Sequence, residues 1–69
     1  MSLMTEKVYA LDGVVEVIYN HTDATYEVWA LVPDGPDDCM WDVVETTDDF
    51  DWAIAVADEV WLKMETIDG

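Results

Sequence analysis

Asp48 and Asp49 stand side by side, His21 lies in a polar cluster, and Cys39 is flanked by Asp37, Asp38 and Asp42. These residue types can act as acid, base or nucleophile. A carboxylate pair can share a proton and do general acid–base work. Here eight carboxylates crowd into residues 34–51, so adjacent acids arise without any catalytic demand. A reactive thiol needs an electropositive setting to depress its pKa. The acids around Cys39 act the other way, and it is expected to be a small core or rim residue. His21, in "NHTDA", has no Ser or Cys nucleophile close in sequence and is expected in a turn. No catalytic residue is assigned, and the chain is not expected to be an enzyme.

Metal and cofactor chemistry is equally unsupported. The segments "DATYEVWALVPD" and "DGPDDCMWDVVE" each end in an acid at the twelfth residue, as a calcium loop does. Neither has the glycine at the sixth position or the alternating donors such a loop needs. A single cysteine makes neither an intramolecular disulfide nor a cysteine-based metal site. There is no glycine-rich phosphate loop, and the charge would repel a nucleotide. No metal and no cofactor are expected.

Charge is the informative quantity. Seventeen Asp and Glu face two Lys and no Arg, a formal net charge of −15 on 69 residues. Fourteen acids and no Lys or Arg lie between Lys7 and Lys63. Salt bridges within the chain cannot neutralise them, and self-repulsion on this scale opposes the compact state. Nucleic acid and anionic membrane are excluded as direct partners, since both are negative. A basic surface, a cation or concentrated salt remains.

The acids must be carried by a fold. Hydrophobic residues make up 52% of the chain, too many for a disordered acidic tail. Asp12-Gly13 between β-branched runs predicts a two-residue hairpin. In that register Leu11 faces Val14 and Tyr9 faces Glu16. Val8, Ala10, Val15, Val17 and Tyr19 then face the core, and Lys7, Tyr9, Glu16 and Ile18 face away. "TYEVWALV", 25–32, predicts a third strand with Tyr26, Val28, Ala30 and Val32 on one side and Glu27 and Trp29 on the other. "PDGPDD" breaks the ladder. A short fourth strand is expected over 39–45, with Trp41 and Val43 inward.

Thr46, Thr47 and Asp48 are competent N-caps, and Thr46 with Asp49 resembles a capping box. Phe50, Ala53, Ile54, Ala57, Val60, Trp61 and Met64 follow the spacing of a buried helical stripe. The expected helix spans about 47 to 66. Asp51, Asp58 and Glu65 fall along one flank at seven-residue spacing, with Glu59 further round the exposed side. Trp52 and Leu62 fall off the stripe. The expected fold class is α+β: a three- or four-stranded antiparallel meander with one C-terminal helix packed on it. The start "MSLMTEKV" marks residues 1–3 as an expected cloning scar and 4–69 as one domain. No signal peptide or membrane span is read, which with the free cysteine points to the cytoplasm.

Size, charge and α+β make-up, rather than any motif, give this chain a resemblance. It resembles the small acidic phage-encoded inhibitors that act as DNA mimics, including anti-restriction and anti-CRISPR proteins. The resemblance implies a host defence complex as target, reached in the host cytoplasm, whose basic DNA- or RNA-handling groove the acids would block. The acids expected to do so are Asp34, Asp37, Asp38, Asp42, Asp48, Asp49, Asp51, Asp58 and Glu59. Two alternatives stand beside it: a haloadapted domain, since Asp outnumbers Glu eleven to six, and an acidic adaptor or antitoxin-like subunit that binds one basic protein without imitating DNA. The aromatic–acidic face of Tyr9, Trp29, Glu16 and Glu27 suits a basic partner or a homodimer.

Overall fold

The computed structural model describes residues 4–33 and 35–67, the side chains of 65–67 apart. Strands β1 (Thr5–Leu11), β2 (Val15–Asn20), β3 (Thr25–Pro33) and β4 (Cys39–Thr47) precede one helix, α1 (Phe50–Ile67). The strands form one antiparallel meander in the order β1-β2-β3-β4. The helix covers one face, so the domain is α+β in two layers.

The first turn decides which side chains reach the core. Asp12 and Gly13 both take positive φ, +53° and +71°, and Val14 N–H donates to the Leu11 carbonyl at 3.0 Å. That is the φ pattern of a type I′ hairpin turn. Leu11 nevertheless pairs with Val15, so Val14 is one extra residue on β2. A second irregularity between Lys7 and Tyr9 leaves Val8 extra on β1 and cancels the first. Lys7, Glu6 and Thr5 then pair with Ile18, Tyr19 and Asn20, as a plain two-residue turn dictates. Between the two bulges the register is slipped by one, which turns each side chain to the other face. Tyr9 pairs with Val17, not Glu16, and packs with Leu11 against the core. Val8 and Ala10, expected inside, are exposed.

A third bulge reshapes β4. Val28 pairs with Glu45 but Trp29 pairs with Val43, leaving Val44 extra. Trp41 and Val43, expected inward, therefore lie opposite Leu31 and Trp29 on the face away from the helix, 37% and 43% exposed. β4 also runs on to Thr47.

The core is small and lies under the helix on the two central strands. Val15, Val17, Val28 and Ala30 meet Ala53 and Ala57. The two alanines are four residues apart, hence on one face of the helix, and their size lets the helix approach the valines. Ile54, Val60, Trp61 and Met64 flank them as the expected stripe requires. Phe50 caps the stripe by packing on Tyr26, ring centroids 5.2 Å apart. Three fully buried valines, at about 1.5–3 kcal/mol each, are a substantial part of what holds so small a domain.

The helix starts at Phe50 because Asp49 is its N-cap. Asp49 Oδ1 accepts the Trp52 N–H at 3.2 Å, and Thr47 Oγ1 accepts the Asp49 N–H at 3.1 Å. Thr46 and Thr47 remain in β4, so the capping position lies beyond the three residues expected to fill it.

Candidate acidic and aromatic interface

The structure divides the expected acidic residues between the two ends of β4. Asp37 and Asp38 are exposed in the loop that enters it, and Asp48, Asp49 and Asp51 are exposed where it passes into α1. Nine residues of strand at about 3.3 Å each separate the groups by roughly 30 Å. Asp42 lies between them, opposite Ala30 and exposed because the helix sits over β2 and β3. Asp58 and Glu59 are exposed on the helix, with Asp58 turned toward β1 at the far edge of the sheet. The eight described acids thus occupy the loop before β4, β4 itself, the start of α1 and its exposed flank. Asp42, Asp51, Asp58 and Glu59 belong to the helical side of the domain. Asp34 and the Glu65 side chain lie outside the described residues.

Neutral aromatic donors take the place of missing cations at several carboxylates. Trp29 Nε1 donates to Glu27 at 3.1 Å, Trp52 Nε1 to Glu45 at 3.0 Å, and Trp61 Nε1 to Asp12 at 3.1 Å. The Tyr9 hydroxyl donates to Asp58 at 2.9 Å. This bond, then partial burial and the nearby charge, raises the Tyr9 pKa above its ordinary value. Among the described residues the ion pairs are Lys7–Glu16 at 3.4 Å, Lys63–Glu59 at 3.2 Å, and His21 with Glu6 at 3.3 Å when the ring is protonated. The sequence signal for the aromatic bonds was the excess of Trp and Tyr over what one small core can bury.

The sheet face away from the helix holds a cleft of about 350 Å³ lined by Thr5, Glu16, Ile18, Glu27, Trp29 and Trp41. Tyr9, expected here, packs on the helix side, and Trp41, expected inward, lines the cleft from the opposite edge strand. Glu27 accepts from Trp29 and, at 3.3 Å, from Asn20 Nδ2.

The chemically reactive types stay scattered. His21 is exposed in the β2–β3 turn, edge-on to Tyr19. Cys39 is free and exposed at the start of β4, at the rim and not in the core. No cluster of three or more His, Cys, Asp or Glu among the described residues could hold a metal ion. No described helix is long and apolar enough to cross a membrane. What the geometry defines is an α+β domain with a carboxylate-rich helical side and an aromatic cleft on the other. No protein-family model matches the chain, and neither does any curated protein or solved structure.

Proposed function

We propose that this domain is an acidic inhibitor that occupies the basic nucleic-acid groove of a DNA- or RNA-handling protein in the manner of DNA, with a host defence complex as its target in the host cytoplasm. The observation that carries the proposal is the net charge of −15 with no Arg. Spread along the 40 Å long axis, fifteen net charges amount to one per ~2.7 Å. Duplex DNA carries one per ~1.7 Å, so the densities agree within a factor of two. The roughly 30 Å between the acidic ends is close to one turn of duplex, about 34 Å. The carboxylates provide no chemistry in this role; they bind and exclude.

The test is competition. The protein and duplex DNA should displace one another from the captured partner, with binding that weakens as salt rises. Most single Asp→Asn changes should be mild, since a rim charge contributes little alone. One facing a buried arginine should cost about 2–5 kcal/mol. Replacing Asp48, Asp49 and Asp51 together by Asn should abolish inhibition while the fold persists, because Asn still caps a helix. Simultaneous binding of DNA and this protein would refute mimicry. It would favour a second reading, an acidic adaptor for one basic protein, which the aromatic cleft on the sheet supports.

A further inference from the structure

The cleft on the open sheet face has a charge imbalance that one cation would correct. Glu16 and Glu27 line it, and among the described residues Lys7, bonded to Glu16 at 3.4 Å, supplies the one positive charge in contact with them. The partners of Glu27 are the neutral Trp29 indole and Asn20 amide, which order the carboxylate without cancelling its charge. Both glutamates are half-buried, and a partly desolvated carboxylate without a counter-charge costs free energy. Two carboxylates against one Lys leave room for one more positive group.

The aromatic walls say which cation. Trp29 pairs with Val43 and Trp41 with Leu31, so the two indoles are diagonal neighbours on adjacent strands. Diagonal side chains start about 7–8 Å apart. That is about twice the 3.5–4.0 Å of a van der Waals contact, the room one planar group takes between two rings. Trp29 is held by its bond to Glu27, while Trp41 is more than a third exposed on an edge strand and can close on a guest.

We propose that this cleft takes the arginine side chain of a basic protein partner. The guanidinium stacks between Trp29 and Trp41 and donates to Glu16 and Glu27. A flat, weakly hydrated fork with five donors suits two rings and two carboxylates, whereas an ammonium is a compact, strongly hydrated point charge. A second copy of the chain cannot fill the site this way, because the chain contains no Arg and two −15 surfaces repel. The site does not depend on whether the acids of the helical side imitate DNA.

The probe is the peptide acetyl-Gly-Thr-Arg-Thr-Gly-amide, compared with its Lys and citrulline counterparts at about 0.15 M salt. Titration of the full chain, followed by calorimetry and by the indole N–H resonances, reads affinity and location together. The Arg peptide should move the Trp29 and Trp41 signals and leave Trp52 and Trp61 in place. The Lys peptide should bind several-fold more weakly, and the citrulline peptide at least tenfold. Trp41→Ala should weaken the Arg peptide about three- to thirtyfold, the range of cation–π contacts. Trp52→Ala, outside the cleft, should not. Glu27→Gln keeps the hydrogen-bond acceptor and removes the charge, so it should also weaken binding if Trp41→Ala proves unstable. Equal affinity for Arg and Lys with no effect of Trp41→Ala would reduce the binding to bulk charge and overturn the proposal. So would unmoved Trp29 and Trp41 signals at about 10 mM peptide, or a stable dimer in sedimentation that buries Trp41.

Discussion

Asp49 carries two opposed effects, and substitution can separate them. Its side chain accepts the Trp52 N–H at 3.2 Å as the N-cap of the only described helix. It also adds a negative charge between Asp48 and Asp51 in a chain already at −15. Asp49→Ala removes both. Losing an N-cap costs about 0.5–2 kcal/mol, typically near 1. Relief of repulsion returns a few tenths, since these are exposed charges. The net should be a loss of about 1 kcal/mol. In a domain of this size that lowers the melting temperature by roughly 4–8 °C. Asp49→Asn removes the charge and keeps the cap, because Asn caps as well as Asp. Its loss of favourable dipole energy, about 0.3–1 kcal/mol, is offset by the relieved repulsion, so its melting temperature should stay within about 3 °C of the parent. Thermal melts by far-ultraviolet circular dichroism at about 0.1 M salt decide it. If Asn proves as damaging as Ala, the charge and not the cap is what matters at this position. If Ala is harmless, Asp49 is not a functional cap.

Stability should rise with salt as the Debye length falls from about 30 Å at 0.01 M to 10 Å at 0.1 M, and melts across a salt series will show it; a chain still unfolded at 0.15 M would point to haloadaptation instead of mimicry. The raised Tyr9 pKa means that the folded state holds the phenolic proton more tightly than the unfolded chain does. Its contribution is therefore complete below the ordinary tyrosine pKa near 10 and is lost as pH climbs through the folded value. Tyr9→Phe should accordingly be destabilised relative to the parent at pH 8, with the gap narrowing by pH 11, as urea melts of the pair will reveal. At Gly13, with φ +71° and no atom within 4 Å of an added Cβ, Ala should cost about 1–2 kcal/mol through backbone strain alone. Asn tolerates that conformation and should cost clearly less; equal losses measured by denaturant unfolding would mean that strain is not the cause.

The sequence shows element types well here and faces less well, and the difference has one cause. Asp12-Gly13, the alternation of Tyr26, Val28, Ala30 and Val32, and the spacing of Phe50 to Met64 each depend on short-range pattern, and the fold has these elements where the pattern puts them. The misplaced side chains, Val8, Tyr9, Ala10, Trp41 and Val43, all sit in a bulge or in the stretch whose register it shifts. A bulge inserts one residue and reverses every side chain until another cancels it. Nothing in "KVYALDGVV" marks Val8 and Val14 as extra residues, because both strand faces there are apolar enough to be buried. The slip is chosen by packing beyond the hairpin: it delivers Tyr9 to Asp58, forty-nine residues away on α1, and Leu11 to the core. The acidic residues were legible as a composition. Their placement in the loop before the fourth strand and at the start and flank of the helix was legible as well; the distance between the groups was not, because β4 runs to Thr47 and the expected strand was shorter.

The aromatic donors explain how such a charge and such a fold coexist. A carboxylate paired with Lys or Arg is ordered, but its field is largely cancelled at a distance. A carboxylate that accepts a hydrogen bond from an indole N–H or a phenol O–H is ordered and keeps its full charge. Asp12, Glu27, Glu45 and Asp58 are held in that second way. Two of these bonds, Tyr9 to Asp58 and Trp61 to Asp12, each join α1 to the first hairpin across forty-nine residues of sequence. They tie helix to sheet at the places where a more ordinary domain would use salt bridges. The apolar bodies of the same side chains add buried area to a core whose large, fully buried side chains, among the described residues, are three valines. A chain under demand only for solubility could take cations at these positions and lose nothing. Under the proposed function the negative field must remain intact outside the surface, and neutral donors fix the acids without cancelling it.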